Sequence, residues 1–349
     1  METHESCGVF DVNGDGILDI VCGEFWYQGP DFRHMHRIGG IRREADYYDD
    51  FSTIALDISG DGRLDYVTGG WWGETLRWRQ NPGEAGKEWS EHIIATTGSI
   101  ETTRAWDIDG DGQLEIVPNT PGAPLCAYKL IRDAQGRGTG QFERIVISET
   151  PIGHGLGFGD VDGDGQGEFV TSTGILKRPA SGSGPWTFTE ELDIGGWDSS
   201  VPIIVADVNN DGRAELIVGR AHSYGLDWYS QSQQDGKRIW TRHPIDPFNA
   251  QYHDLIWADI DGDGLPELIT GKRHRAHCGN DAGEADDLGI YYFKWNGEGF
   301  SKQVVAYGPL GVGKGCGIHF AVADLRGSGR LDIIAPGKDG LVIFFNEGN

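Results

Sequence analysis

The strongest constraint on this chain is a nine-residue cassette that recurs seven times. The first copy runs Asp11-Val12-Asn13-Gly14-Asp15-Gly16-Ile17-Leu18-Asp19 and passes directly into Ile20-Val21; the others begin at Asp57, Asp107, Asp160, Asp207, Asp259 and Asp324. Successive first aspartates lie 46, 50, 53, 47, 52 and 65 residues apart, and self-similarity at roughly 40–50 residues marks a propeller or a repeat array. The first six copies place oxygen-bearing side chains at positions 1, 3, 5 and 9, and all seven have glycine at position 6. Alternating acids around a sharp turn are how a short loop wraps a hard cation, as in the EF-hand loop. Here the last acid comes at position 9 and a strand-like run follows, so the loop joins two strands. Plain Asx/Gly hairpin turns are the bland reading, but turn chemistry alone needs no third and fourth acid.

Six loops are therefore expected to hold Ca²⁺ (or Mg²⁺). Their donors are Asp11, Asn13, Asp15 and Asp19; Asp57, Ser59, Asp61 and Asp65; Asp107, Asp109, Asp111 and Glu115; Asp160, Asp162, Asp164 and Glu168; Asp207, Asn209, Asp211 and Glu215; and Asp259, Asp261, Asp263 and Glu267. In the seventh loop Arg326 and Ser328 replace two donors, so no metal is expected there. The formal net charge of −25 fits this view, because 21 of the 54 acids sit at these positions. Crowded carboxylates are costly unless a cation neutralises them, and six divalent ions would bring the charge to about −13. The acidity thus describes internal sites and argues against nucleic acid, whose signature is a basic surface.

The repeat runs from one end of the 349 residues to the other, which predicts a single domain over residues 1–349. No apolar run approaches a membrane span. The first repeat begins almost at Met1, leaving no room for a signal peptide, and the five cysteines are odd in number and never spaced CxxC. Both features predict a cytoplasmic chain with free thiols; secretion requires a native N-terminus further upstream. Oligomeric state is not legible.

Each repeat reads as strand A, cassette, strand B, loop, strand C, turn, strand D. In the second repeat these are predicted at 52–56, 64–68, 75–79 and 89–95, and in the sixth at 254–258, 267–270, 289–295 and 300–306. Seven such units predict an all-β fold, a seven-bladed β-propeller of four-stranded antiparallel blades with cation-binding DxDGDG loops. The seventh repeat stops after strand C (341–346), so its blade is predicted to have three strands.

The DxDGDGxxD/E repeats resemble the FG-GAP or VCBS family of propellers, the repeat type of integrin α-chain heads. More narrowly, GHGLGFGDVDGDG, QYHDLIWADIDGDG with TGKRHRAHCGND, and GCGIHFAVADL with APGKDGLVIFFNEG resemble the propeller portion of the aldos-2-ulose dehydratases. That resemblance implies removal of water from ketosugars such as 1,5-anhydrofructose. The cupin-like domains that accompany that propeller have no counterpart in these 349 residues.

Within a blade the A–B and C–D turns share one face, and the D–A and B–C loops share the other. The cassettes are A–B turns. The opposite face gathers the residues just before each strand A, which six residues ahead of the first aspartates are Glu5, Phe51, Glu101, His154, Val201, His253 and Ile318. His319 follows one residue later, and Arg104 lies close by. The B–C and D–A loops add Trp71, Trp72, Arg220, His222, Tyr224, Lys272, Arg273, His277, Tyr48 and Lys314. Seven of the eleven histidines converge here; His34, His36, His92 and His243 fall in outer strands. For any one histidine a structural role is the commoner outcome, and single tryptophans most often pack blades, but convergence from distant repeats points to a site.

Indoles and phenols stack on sugar rings while Arg, Lys and His bond hydroxyls and carboxylates. The expectation is a carbohydrate-active lyase or dehydratase acting by β-elimination on a ketosugar or uronate, with a small sugar or glycan as partner. His253 is the expected base, Arg104 and Lys272 the oxyanion stabilisers, and Tyr48 the acid. His154, His253 and His319 are the expected ligands if a Zn²⁺ serves instead, with His222 or His277 as substitutes. Trp71, Trp72, Arg220, His222, Tyr224, Arg273, His277 and Lys314 are expected to hold substrate. The alternative is a glycan- or protein-binding propeller without catalysis. Gly308–Lys314 nearly matches a P-loop, but Gly315 stands where Ser or Thr is required.

Overall fold

The computed structural model describes residues 3–182 and 184–348. Each cassette is a turn between two short extended runs, and the chain folds accordingly into seven small antiparallel sheets. Six have four strands, in blades spanning 7–37, 54–96, 102–151, 156–190, 204–250 and 252–308. Among the described residues the seventh, 321–344, has three. In the second blade strands A to D are Ile54–Leu56, Asp65–Gly69, Thr75–Gln80 and Ser90–Thr96, within two residues of the expected spans. A two-stranded hairpin (Arg43–Glu44 with Tyr47–Tyr48) rides on the connection between blades 1 and 2.

The backbone of the cassettes follows from glycine. Position 6 is left-handed in every copy, with φ between +79° and +90° from Gly16 to Gly329, a conformation that costs other residues steric energy. Position 4 is also left-handed, and Asn210 with φ 59° is the one non-glycine there. The first aspartate accepts the backbone N–H groups of positions 4 and 6, as Asp11 does from Gly14 (2.7 Å) and Gly16 (2.8 Å). The acid at position 9 turns inward, is buried, and takes the N–H of position 2, as Asp19 does from Val12 at 2.9 Å.

Side chains of strands B and C alternate between the two faces of each sheet and bury against the neighbouring blade. Seven apolar clusters result, one in each gap between blades: for example Ile58, Val67, Ile116 and Tyr128 between blades 2 and 3, and Leu226, Trp228, Tyr252 and Phe293 between blades 5 and 6. The ring closes through Cys7, Ile20, Leu325 and Ile334 between blades 7 and 1. A parallel bridge between Ser6 and His319 and the bond from the Cys7 N–H to the His319 carbonyl (2.9 Å) tie the same seam. No disulfide joins the cysteines.

The blades come in two kinds. In blades 1, 2 and 5 a strand C tryptophan stacks on a strand D histidine: Trp26 on His36, Trp78 on His92 and Trp228 on His243, with centroids 4.2–4.5 Å apart. Three of the four outer-strand histidines are thereby accounted for as packing. Blades 3, 4 and 6 carry Ala127, Ile175 and Tyr292 at the matching strand C positions.

Candidate functional site

The first residues of the strands A ring the mouth of the central channel, and the fold brings three of them together from blades 3, 4 and 6. Glu101 precedes strand A of blade 3, His154 precedes that of blade 4, and His253 begins that of blade 6 (Tyr252–Ala258). The loop after strand B of blade 5 adds His222. Ligand atoms of Glu101, His154, His222 and His253 all lie within 4.8 Å of one another.

The protonation pattern of this cluster is unusual. The His154 Nδ1–H donates to the Ser199 carbonyl, so its Nε2 carries the lone pair. That nitrogen is buried without a hydrogen-bond partner and faces Glu101 Oε1 at 3.5 Å. Glu101 Oε1 also meets His253 Nε2 at 2.8 Å and Arg273 Nη1 at 3.4 Å. Burial opposes charge on Glu101, but the His154 and His253 contacts outweigh it and hold the carboxyl well below its usual range. Burial pushes His253 well below the ordinary histidine value, and lowers His222 as well. Neutral His253 and His222 rings beside an ionised carboxylate are the state in which such side chains bind a metal.

Beside this cluster, Asp281 bridges two imidazoles. Its Oδ1 accepts from His277 Nδ1 at 2.9 Å and its Oδ2 lies 3.3 Å from His222 Nδ1; the two rings stack with centroids 4.4 Å apart. Burial would raise the Asp281 carboxyl, but the two imidazoles outweigh it and hold it well below the carboxylate range. An ionised carboxylate only accepts hydrogen bonds, so both Nδ1 atoms carry protons, and the lone pair of either ring in its neutral form lies on Nε2. A cavity of about 460 Å³ lies over these groups, walled by Trp71, Trp197 and Pro121 and floored by Glu101, His154, His222, His277 and Asp281. A smaller cleft of about 90 Å³ adjoins it between Tyr47, Phe51, Trp71, Trp72 and Arg273.

Of the residues expected from sequence, His154, His253, His222, His277, Trp71, Trp72 and Arg273 meet here. Others are committed elsewhere. His319 is half-buried at the seam between blades 7 and 1, its Nδ1 3.1 Å from the Cys7 carbonyl, and His222 takes the place expected for it. Arg104 pairs with buried Asp254 at 2.6 Å and bonds the Val201 carbonyl at 2.5 Å; it braces the channel and is not free to meet an oxyanion. Lys272 is buried and donates to the carbonyls of Gly283 and Asp286, the latter at 2.9 Å, fastening the loop that carries His277 and Asp281. Lys314 is held by Asp339 (2.5 Å) and Arg220 by Asp227 (3.5 Å) and the Ile194 carbonyl (3.1 Å). Tyr48 packs its ring on His4 at 4.0 Å, and the Tyr224 hydroxyl bonds Asp286 at 2.6 Å outside the cavity. His253, expected as the base, is fully buried with Nε2 on Glu101 and Nδ1 buried without a hydrogen-bond partner, so neither nitrogen is exposed to a substrate.

Two members were missed. Glu101 stood in the channel ring, and its position six residues before Asp107, beside two histidines of the same ring, was signal enough. Asp281 lies in the irregular run between strands B and C of blade 6, where no periodicity marks it.

On the opposite face, the cassettes use most of their donors internally. The seventh, with two donors replaced, keeps the Ser328 and Gly329 N–H bonds to Asp324 and the Leu325 N–H bond to Asp332. Backbone N–H groups on the first and ninth acids thus hold the turn in the loop that has lost two donors as in the others. Acidic groups that could hold a metal do assemble at Asp107, Asp109 and Glu115, at Asp160, Asp162 and Glu168, and at Asp259, Asp261 and Asp263. In these three loops a lysine ammonium lies among the acids: Lys129 is 2.5 Å from Asp109 and 2.6 Å from Asp111, and Lys177 and Lys294 repeat the contact.

Comparison with known proteins agrees with this architecture. The model of the FG-GAP-like repeat matches residues 57–117 and 207–270. No curated protein matches the chain. Among solved structures, the exotype rhamnogalacturonan lyase YesX is 15% identical with a TM-score of 0.52, covering 99% of this chain and 72% of its own. BBS1N, solved in complex with ARL6DN, is 12% identical with a TM-score of 0.53, covering 99% and 94%. An Agrocybe aegerita lectin that recognises non-reducing terminal N-acetylglucosamine is 16% identical with a TM-score of 0.45, covering 83% and 78%. Likeness at this level speaks to fold alone. The chain is a seven-bladed β-propeller in which residues 57–117 and 207–270 match the FG-GAP-like repeat.

Proposed function

We propose that the protein is a carbohydrate-active lyase that performs β-elimination on a ketosugar or uronate in the cavity over blades 3 to 6. The observation that carries this reading is the buried His154 Nε2 facing Glu101 Oε1 at 3.5 Å with no donor between them. Only a proton or a metal ion satisfies a lone pair set against a carboxylate oxygen, and the convergence of His222 and His253 favours the metal. Three imidazoles and one carboxylate suit Zn²⁺ or a similar first-row ion, which when bound would polarise the sugar carbonyl and stabilise the enolate.

The chain's own groups supply the rest. Trp71 and Trp197 offer apolar walls to a pyranose ring. His277, half-exposed, presents Nε2 as the base that removes the proton α to the carbonyl, and Asp281 holds its Nδ1–H and stabilises the imidazolium that forms; the imidazolium returns that proton to the departing β-oxygen, so the Cα–H and Cβ–O bonds break, the C=C bond forms and water or an alcohol leaves. Asp281 holds His222 in the same way, which aims His222 Nε2 at the cluster. Arg273, kept in place by Glu5 at 2.9 Å, fixes Glu101 from behind. The sequence resemblance to aldos-2-ulose dehydratases suggests the same substrate class. The calcium expected in the cassettes belongs to the other face and takes no part in this chemistry.

A second reading, glycan binding without turnover, draws on the aromatic cleft of Tyr47, Phe51, Trp71 and Trp72. The two are separated by offering 1,5-anhydrofructose, other ketosugars and uronate-containing glycans to the Zn²⁺-loaded protein. Elimination makes a conjugated enone or unsaturated uronate, so ultraviolet absorbance rises with at least one substrate, and His277→Ala abolishes the rise while retaining sugar affinity. Calorimetric binding with no absorbance change across the panel leaves only the lectin-like reading.

A further inference from the structure

The six acidic cassettes divide into two sets by a residue on another strand. The strand C position directly across from the ninth-position acid follows from the register: Ile116 pairs Tyr128, so Glu115 faces Lys129; Phe169 pairs Leu176, so Glu168 faces Lys177; Leu268 pairs Phe293, so Glu267 faces Lys294. In the other three blades the same register sets Asp19 against Gln28, Asp65 against Gln80 and Glu215 against Ser230. Position 3 follows the partition. It is Asp109, Asp162 or Asp261 where the lysine is present, and Asn13, Ser59 or Asn209 where it is absent. Over the four donor positions and the facing strand C residue, four acids with one lysine and three acids without one both sum to −3, and Arg63 and Arg213 at position 7 bring the loops of blades 2 and 5 to −2. The third-position aspartate therefore comes with the lysine.

The geometry of the ammonium is that of a bound cation. Lys129 Nζ stands 2.5 Å from Asp109, 2.6 Å from Asp111 and 3.2 Å from buried Glu115. Lys177 reaches its three acids at 2.5, 2.7 and 3.4 Å, and Lys294 reaches its own at 2.5, 2.5 and 3.8 Å. The second oxygens of Glu115 and Glu168 are buried and have no hydrogen-bond partner; the ammonium is the charge that faces them. In the lysine-free loops that oxygen is already bonded, for Asp19 by the Gly29 N–H at 2.8 Å and for Glu215 by Asn209 at 2.9 Å. Ca²⁺ would need the oxygens of positions 3 and 5 at about 2.3–2.6 Å, and the ammonium holds those same atoms. The donor set of these three loops therefore does not fit the divalent ion that the repeat implies.

We propose that blades 3, 4 and 6 carry a tethered cation, the ammonium of Lys129, Lys177 and Lys294, in place of a divalent ion, and that these loops are closed without metal. Blades 1, 2 and 5 are the only ones left to respond to Ca²⁺. The seventh loop follows the same logic with its own cation, since Arg326 from position 3 reaches Asp332 at 3.3 Å.

The test is a count of bound ions, which is independent of any activity at the histidine cluster because Ca²⁺ prefers oxygen donors. The full chain is dialysed against Ca²⁺, passed through a desalting column and analysed for calcium per chain. The wild type retains no more than three ions. The Lys129→Met, Lys177→Met, Lys294→Met triple variant retains more than the wild type, up to three more, and its melting temperature falls in chelator and recovers with Ca²⁺. If that variant fails to fold, Asp109→Asn with Lys129→Gln, which copies Asn13 and Gln28 of blade 1 at unchanged loop charge, gains about one ion over wild type. Four or more ions on the wild-type chain, or no gain in the variant that folds, overturns the proposal.

Discussion

His319 gives the sharpest test of which histidines belong to the scaffold. Burial, reinforced by nearby Arg104, lowers its pKa to about 3, against about 6.5 in an unfolded chain. The folded protein thus keeps this ring neutral where the unfolded chain takes up a proton, and stability falls as pH drops. The contribution is complete above about pH 6.5 and is lost progressively as pH falls toward about 3. Each unit of pKa difference corresponds to about 1.4 kcal/mol, so between pH 7 and pH 5 this one ring costs the fold about 2 kcal/mol. In His319→Gln the amide can still donate to the Cys7 carbonyl, but the titrating group is gone. Urea unfolding followed by tryptophan fluorescence at pH 7 and pH 5 measures the difference. The wild type loses about 2 kcal/mol more on acidification than the variant does, since His4 and His253, also lowered by burial, contribute equally to both chains. An identical pH dependence in the two chains refutes the burial argument. Turnover lost in a variant that unfolds as wild type does returns His319 to the chemistry.

Glu101→Gln keeps the shape of the side chain and removes the charge that the three imidazoles share, while Glu5 still holds Arg273. Zn²⁺ affinity, read by competition with a chromophoric chelator, falls at least about 10-fold; unchanged affinity removes Glu101 from the ligand set. Lys272→Met strips the Gly283 and Asp286 carbonyls of their donor, at a cost of about 1–3 kcal/mol. Limited proteolysis then cuts between residues 275 and 287 faster than in wild type, and equal rates mean that the loop is fastened by something else.

The cassettes were legible from sequence for a simple reason: a left-handed turn with acids at fixed offsets is specified within nine residues and repeated. The blade count, the strand order and the shortened seventh blade all follow from that local code. Counting six residues ahead of each cassette even found the channel ring, because a strand leading into a fixed turn has a fixed register. Glu101 was in that ring and was passed over because histidines drew the chemistry.

What tertiary structure alone decided is which charges are spent. Arg104 and Asp254 are 150 residues apart, and nothing near either one announces that they neutralise each other across the channel. The same holds for Lys314 with Asp339 and for Lys272 with two loop carbonyls. The lysines opposite Glu115, Glu168 and Glu267 are visible in the sequence, yet their offsets from those acids differ with each B–C loop, so only strand pairing shows that they share one position. A residue's type sets what it can bond, whereas its availability depends on every other chain segment that reaches it first. Local repetition therefore determined the scaffold and its faces, and long-range pairing determined which side chains on those faces remain free to act.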